Sequence, residues 1–155
     1  MNSQIKIFNQ KEKKEVQKAL EKEFGIKNIP GELIKKGEEK IFLFQGNLNS
    51  KQIKELEEIA FIERIGVYFA KDQGGEIRLS IEGTHLLKEQ IKENIFEMNE
   101  EQEQDWIRGR ELNVQTGKKQ FLVMKYKEDF LGCGKDSADK ITNFIPKTRR
   151  LRTKF

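Results

Sequence analysis

The sequence predicts an α+β fold: a small α/β unit over residues 1–92, then a strand-rich block over 93–155. Three observations point there. Segments with apolar residues at helical spacing follow Asn, Ser or Thr caps. Short runs alternate polar and apolar residues. Gly- and Asp-containing turns join those runs into hairpins. In 155 residues, 35% hydrophobic content beside 36% charged leaves enough Ile, Leu and Phe for a core under a densely charged surface, which separates the chain from disordered sequences.

Taken in order, Gln4 to Phe8 alternates as a short strand. Asn9 caps a helix with Glu12 at the capping-box position; Val16, Ala19, Leu20 and Phe24 share one face, and Gly25 ends it. Pro30-Gly31 marks a turn, and "ELIKKGEEKIFLFQG" reads as two strands joined around Gly37. Asn49 or Ser50 caps a second helix whose apolar face is Ile53, Leu56, Ile59 and Ala60. "RIGVYFAKDQGGEIRLS" is a hairpin around Asp72-Gln73-Gly74-Gly75. "GTHLLKEQI" is a short helix capped by Thr84, and "NIFEM" is a strand. Asn99 caps the acidic helix "EEQEQDWIRG", with Gln102 at its capping-box position and Gly109 as its stop. "KQFLVMKYKEDFLGCGK" reads as two strands meeting at Lys127-Glu128-Asp129. A last strand is expected from Ile145 to Leu151, with Arg150 and Arg152 on its outer face and Arg149 and Leu151 turned inward.

The charge is unevenly placed. The net charge is +4, but Cys133 to Phe155 holds seven bases against two acids, so that end carries +5 and the other 132 residues −1. A local basic patch suits a polyanion better than diffuse charge does. The single cysteine excludes an internal disulfide and fits a reducing compartment. No apolar stretch follows Met1, and the longest apolar run, Ile41 to Phe44, is too short to span a bilayer; a soluble, cytoplasmic protein without a membrane partner is expected.

Candidate chemistry is sparse. A catalytic Cys133 needs a base, and the sole histidine, His85, is not placed beside it by any pattern; the thiol reads as packing. One Cys and one His do not make a structural zinc site, and no metal or other cofactor is expected. Gly132-Cys133-Gly134-Lys135 lacks the spacing of a phosphate-binding loop, so its glycines read as a bulge or a close backbone approach. The five carboxylates from Glu97 to Asp105 read as the solvated start of a helix, and Trp106 as core. The bases remain: Arg108 and Arg110 flank Gly109, and Lys135, Lys140 and the Lys147–Lys154 cluster follow. Arg suits phosphate because its planar fork donates two parallel hydrogen bonds.

"WIRGREL" resembles the first helix of PUA domains, an RNA-binding module, and "FLVMKYKEDFLGCGK" fits the strand pair and apolar–Gly–x–Gly segment that follow it there. The nearer resemblance is to the PUA-like domain that ends Sun/Fmu/RsmF-type RNA cytosine-5 methyltransferases. "ITNFIPKTRRLR" is similar to their closing segment, through Asn143, Pro146, Lys147 and the terminal bases, and "RIGVYFAK" resembles the strand before that domain. Residues 1–60 resemble only loosely the small α/β domains preceding PUA in some ribosome-biogenesis proteins. The chain departs from the methyltransferases in having no room for their catalytic domain and one cysteine where they need two.

The resemblance implies a mixed β-barrel for residues 93–155 and a stand-alone module, as in short, mainly archaeal proteins of ribosome biogenesis. It implies binding of structured RNA, rRNA or tRNA, through Arg108, Gly109, Arg110, Gly132, Gly134, Lys135, Lys140, Asn143, Lys147, Arg150 and Arg152, without catalysis. The expected function is therefore a non-enzymatic RNA-binding protein in rRNA or tRNA maturation, with a pre-ribosomal particle or an RNA methyltransferase as further partner. Two alternatives stand beside it: an accessory subunit that recruits a separate RNA methyltransferase, and a metal-dependent enzyme using the acidic segment.

Overall fold

The computed structural model describes residues 5–45, 51–52 and 66–151. The expected second helix, with Ile53, Leu56, Ile59 and Ala60, lies outside the described residues, as does Arg152. The chain runs β1 (Ile5–Ile7), α1 (Gln10–Phe24), β2 (Glu32–Lys36), β3 (Lys40–Phe44), β4 (Val67–Gln73), β5 (Glu76–Leu79), α2 (Ile81–Leu86), β6 (Ile95–Glu97), α3 (Glu100–Ile107), β7 (Lys119–Tyr126), β8 (Asp129–Ser137) and β9 (Ile141–Asn143), with short 3-10 turns at Lys88–Gln90 and Lys147–Arg149. The fold is α+β.

The local signals act as chemistry requires. Asn9 accepts from the Glu12 amide at 2.8 Å while the Glu12 carboxylate accepts from the Asn9 amide at 3.0 Å, closing the capping box of α1. Asn99 and Gln102 do the same for α3 at 2.8 and 2.9 Å. The β4–β5 turn is tighter than the four-residue reading: strand pairing reaches Gln73 and Glu76, leaving Gly74 and Gly75, both at positive φ, as a two-residue turn. Thr84 does not cap α2. Ser80 does, accepting from the Gly83 amide at 2.9 Å, because β5 ends at Leu79 and leaves Ser80 extended at the helix entrance; Thr84 is buried inside the helix.

Two sheets form. The first is antiparallel in the order β1-β2-β3-β4-β5; the second runs β6-β7-β8-β9, with β6 parallel to β7. The expected barrel is not closed. At three residues each, β6 and β9 are too short to tilt round and meet, and the β9 side is met instead by a single bridge, Leu112 to Ile141. The run "FLVM" in β7 is buried on both faces, which explains its unbroken apolar character. Phe121 and Val123 join Leu20, Phe24, Leu33, Phe69 and Leu79 in one core cluster. Leu122 and Met124 face a second cluster built round Trp106 with Ile141 and Ile145. The first of these cores takes residues from both sides of Lys92.

The expected strand from Ile145 to Leu151 does not form. β9 stops at Asn143, Pro146 has no N–H for a ladder, and the chain turns through the 3-10 segment Lys147–Arg149. The alternation of faces therefore fails: Arg149 is exposed, Arg150 is half-buried, and Leu151, expected inside, is 50% exposed.

Candidate nucleic-acid interface

The end of α3 organises one basic assembly. Trp106 is fully buried and its indole N–H donates to the Leu131 carbonyl at 2.9 Å, which fixes the helix on the second sheet. Gly134 is the floor of that packing. A Cβ there would lie 2.5 Å from Ile141 Cγ2 and 2.8 Å from the Trp106 ring, so only glycine lets the indole approach the strand. Arg108 closes the helix and donates to the Gln104 carbonyl and side chain at 2.8 and 2.9 Å. Gly109 follows at φ 86°, in the left-handed region, and a side chain on it would collide with Arg150. Arg110 turns back onto Asp105 at 2.9 Å.

Asn143 clasps this turn to β9. Its amide donates to the Trp106 carbonyl at 2.8 Å and the Arg110 carbonyl at 3.0 Å, and its oxygen accepts from the Ile145 amide at 2.8 Å. Arg150 lies over Gly109 and donates through Nε to the Ile145 carbonyl at 2.9 Å, while the Leu151 amide donates to the Ile107 carbonyl at 2.7 Å. Arg108, Gly109, Arg110, Asn143 and Arg150 thus meet in one place, with the exposed Lys147 in the adjoining 3-10 turn.

The other expected residues are elsewhere. Lys140 sits in the β8–β9 connection, 3.2 Å from Glu111. Lys135 projects from the sheet face opposite Trp106, over the Phe121 ring and 3.3 Å from Glu76 of the first sheet. Gly132, at φ 82°, makes the bulge: Leu131 and Gly132 stand opposite the single residue Met124, and Ile81 covers the glycine. The acid partners of Arg110, Lys135 and Lys140 are exposed pairs worth about 0–1 kcal/mol each, which a phosphate can displace.

Cys133 is buried in the shared core, and burial pushes its thiol up to about 12. A neutral, inaccessible thiol is a poor nucleophile. Cys133→Ser is expected to cost on the order of 1 kcal/mol and to leave nucleic-acid binding unchanged. The folded thiol keeps its proton where the unfolded one, near 9, has lost it. Relative to Cys133→Ser, the wild type should therefore lose stability as pH rises from about 9 towards about 12. Denaturant melts of both proteins across that range check the sign. His85, the candidate base, is exposed and spends Nε2 on the Phe130 carbonyl at 2.7 Å. Among the described residues, no three or more His, Cys, Asp or Glu side chains are grouped to hold a metal ion, and no helix is long and apolar enough to cross a membrane.

The pattern of residues missed Lys40, Lys71 and Arg78, which line a cleft beside Gly132 and Arg149. Their signal is strand register, which appears only once β3, β4 and β5 are paired.

Residues 93–151 match the family model of the methyltransferase RsmF PUA domain. No curated protein matches the chain. The C-terminal part is therefore a PUA-like domain resembling that of Sun- and RsmF-type methyltransferases, and PUA domains in general bind RNA.

Proposed function

We propose that this PUA-like domain serves a non-enzymatic, structured-RNA-binding protein of rRNA or tRNA maturation. The observation that carries the reading is the convergence of Arg108, Arg110 and Arg150 round Gly109, clamped by Asn143 and bordered by Lys147. A rigid frame with several guanidinium groups and one unobstructed lysine presents donors to phosphates at low entropic cost. Binding here would position the protein on its RNA through the backbone and shape rather than through base edges.

The one thiol is buried and neutral, and the one imidazole is held to a carbonyl, which favours binding over catalysis. The partner under this reading is a precursor rRNA or tRNA, alone or within a pre-ribosomal particle. Ultraviolet crosslinking in the native cell, followed by sequencing of the bound RNA, tests it. Enrichment of defined sites in rRNA or tRNA precursors is the expected result. Recovery of an RNA methyltransferase with no crosslinked RNA would favour the accessory-subunit alternative instead.

A further inference from the structure

Strand register assembles a row of cations that no linear motif shows. Lys36 stands opposite Lys40, Lys40 opposite Lys71, and Lys71 opposite Arg78, across β2, β3, β4 and β5. Directly paired residues share a face, so four bases line up at strand spacing, a positive line about 14 Å long. Like charges placed directly opposite one another destabilise a sheet. Glu39 relieves the row at Lys71, at 3.3 Å.

The end of that row opens into a cleft of about 230 Å³. Lys40, Lys71, Arg78 and Arg149 line it, with Glu82 the one carboxylate among the described lining residues. Glu82 is paired with Arg149. Its apolar lining includes Ile81, Leu131 and Phe144. Arg78 packs its guanidinium 3.9 Å from the centre of the Phe144 ring, and its buried Nε has no hydrogen-bond partner. A stacked, pre-oriented guanidinium with an unused donor is costly in a merely structural role.

We propose that this cleft holds a phosphate group, supplied by RNA that continues from the PUA-like domain onto the first sheet. Leu131, Phe144 and Arg149 belong to the PUA-like domain, so the cleft is the place where its surface meets the cation row. Two bases beyond those offset by Glu39 and Glu82 match the charge of bound phosphate. The proposal deepens the RNA-binding reading and rests on it for the source of the phosphate, while the chemistry of the cleft is separate from the assembly at Gly109.

The test titrates the full chain with a short structured RNA hairpin, as wild type, Lys40→Gln, Arg78→Gln and Lys147→Ala, with a thermal melt of each. A second arm follows backbone amide NMR shifts of β3–β5 on addition of inorganic phosphate. Lys40 is exposed, so its variant remains informative if Arg78→Gln unfolds. The expected result is about tenfold weaker RNA binding for each cleft variant, a salt slope shallower by about 1, and phosphate-induced shifts in β3–β5 that Lys40→Gln diminishes. Unchanged RNA affinity in both cleft variants, with Lys147→Ala still weakened, overturns the cleft and leaves the RNA-binding reading standing. No RNA binding by the wild type, with phosphate shifts retained, keeps the phosphate site, assigns it to small phosphates and removes the RNA-binding reading. Displacement of the RNA by polyglutamate as readily as by unlabelled RNA would mark a generic acid-binding surface and overturn the assignment.

Discussion

Trp106→Ala should lose about 3–5 kcal/mol of stability, the cost of emptying a fully buried aromatic site. Three contributions converge on this side chain. It fills the centre of the second core cluster, its N–H satisfies the Leu131 carbonyl, and it lies on the shelf that Gly134 leaves open. Gly134→Ala approaches the same contact from the other side and should cost roughly 1–3 kcal/mol by overpacking. Urea melts of both variants measure this. Because Trp106 seats the helix whose end leads into Arg108 and Arg110, RNA affinity should fall with stability in Trp106→Ala. A stable Trp106→Ala protein, within about 1 kcal/mol of wild type, would show that α3 is held by other contacts.

Lys147→Ala combined with Arg150→Ala should weaken RNA binding by roughly 1–3 kcal/mol and lower the salt slope. Lys147 is exposed in the 3-10 turn, and Arg150 lies at the centre of the clamped turn. Arg150→Ala should in addition lower stability by about 1 kcal/mol, through its bond to the Ile145 carbonyl and its cover over Gly109. Arg149→Ala is the control for stability alone, because Arg149 also lines the cleft proposed to hold a phosphate. It breaks an exposed pair with Glu82, worth about 0–1 kcal/mol, and should leave stability nearly unchanged. Calorimetric melts beside RNA titrations separate the two effects. An Arg150 variant that melts lower but binds RNA unchanged would make Arg150 a brace and not a contact.

What the sequence makes legible here is local. Asn9 with Glu12 and Asn99 with Gln102 announce helix starts because a cap needs only the three residues that follow it. Gly74-Gly75 announces a hairpin because both positions need positive φ. Lone Gly132 and Gly134 signal special backbone, but which partner approaches them is a long-range fact: Ile81 in one case, Trp106 and Ile141 in the other. The Arg149–Arg150–Leu151 pattern imitates a strand. It fails because Pro146 stops the ladder, and residues 147–149 then form a turn that alternation cannot reveal. Barrel closure and the Lys36–Lys40–Lys71–Arg78 row both depend on which strands pair and in what register, and neither is written in any window of the chain.

If basic side chains on the PUA-like domain hold RNA by its phosphates, affinity for a structured RNA should fall as salt rises. With about four to six phosphate contacts, the log–log slope should be roughly −4 to −5 on double-helical RNA and roughly −3 to −4 on single strands, and a DNA duplex of the same length should bind more weakly for lack of A-form shape and 2′-hydroxyls. A slope near zero, or equal affinity for the DNA duplex, would contradict it.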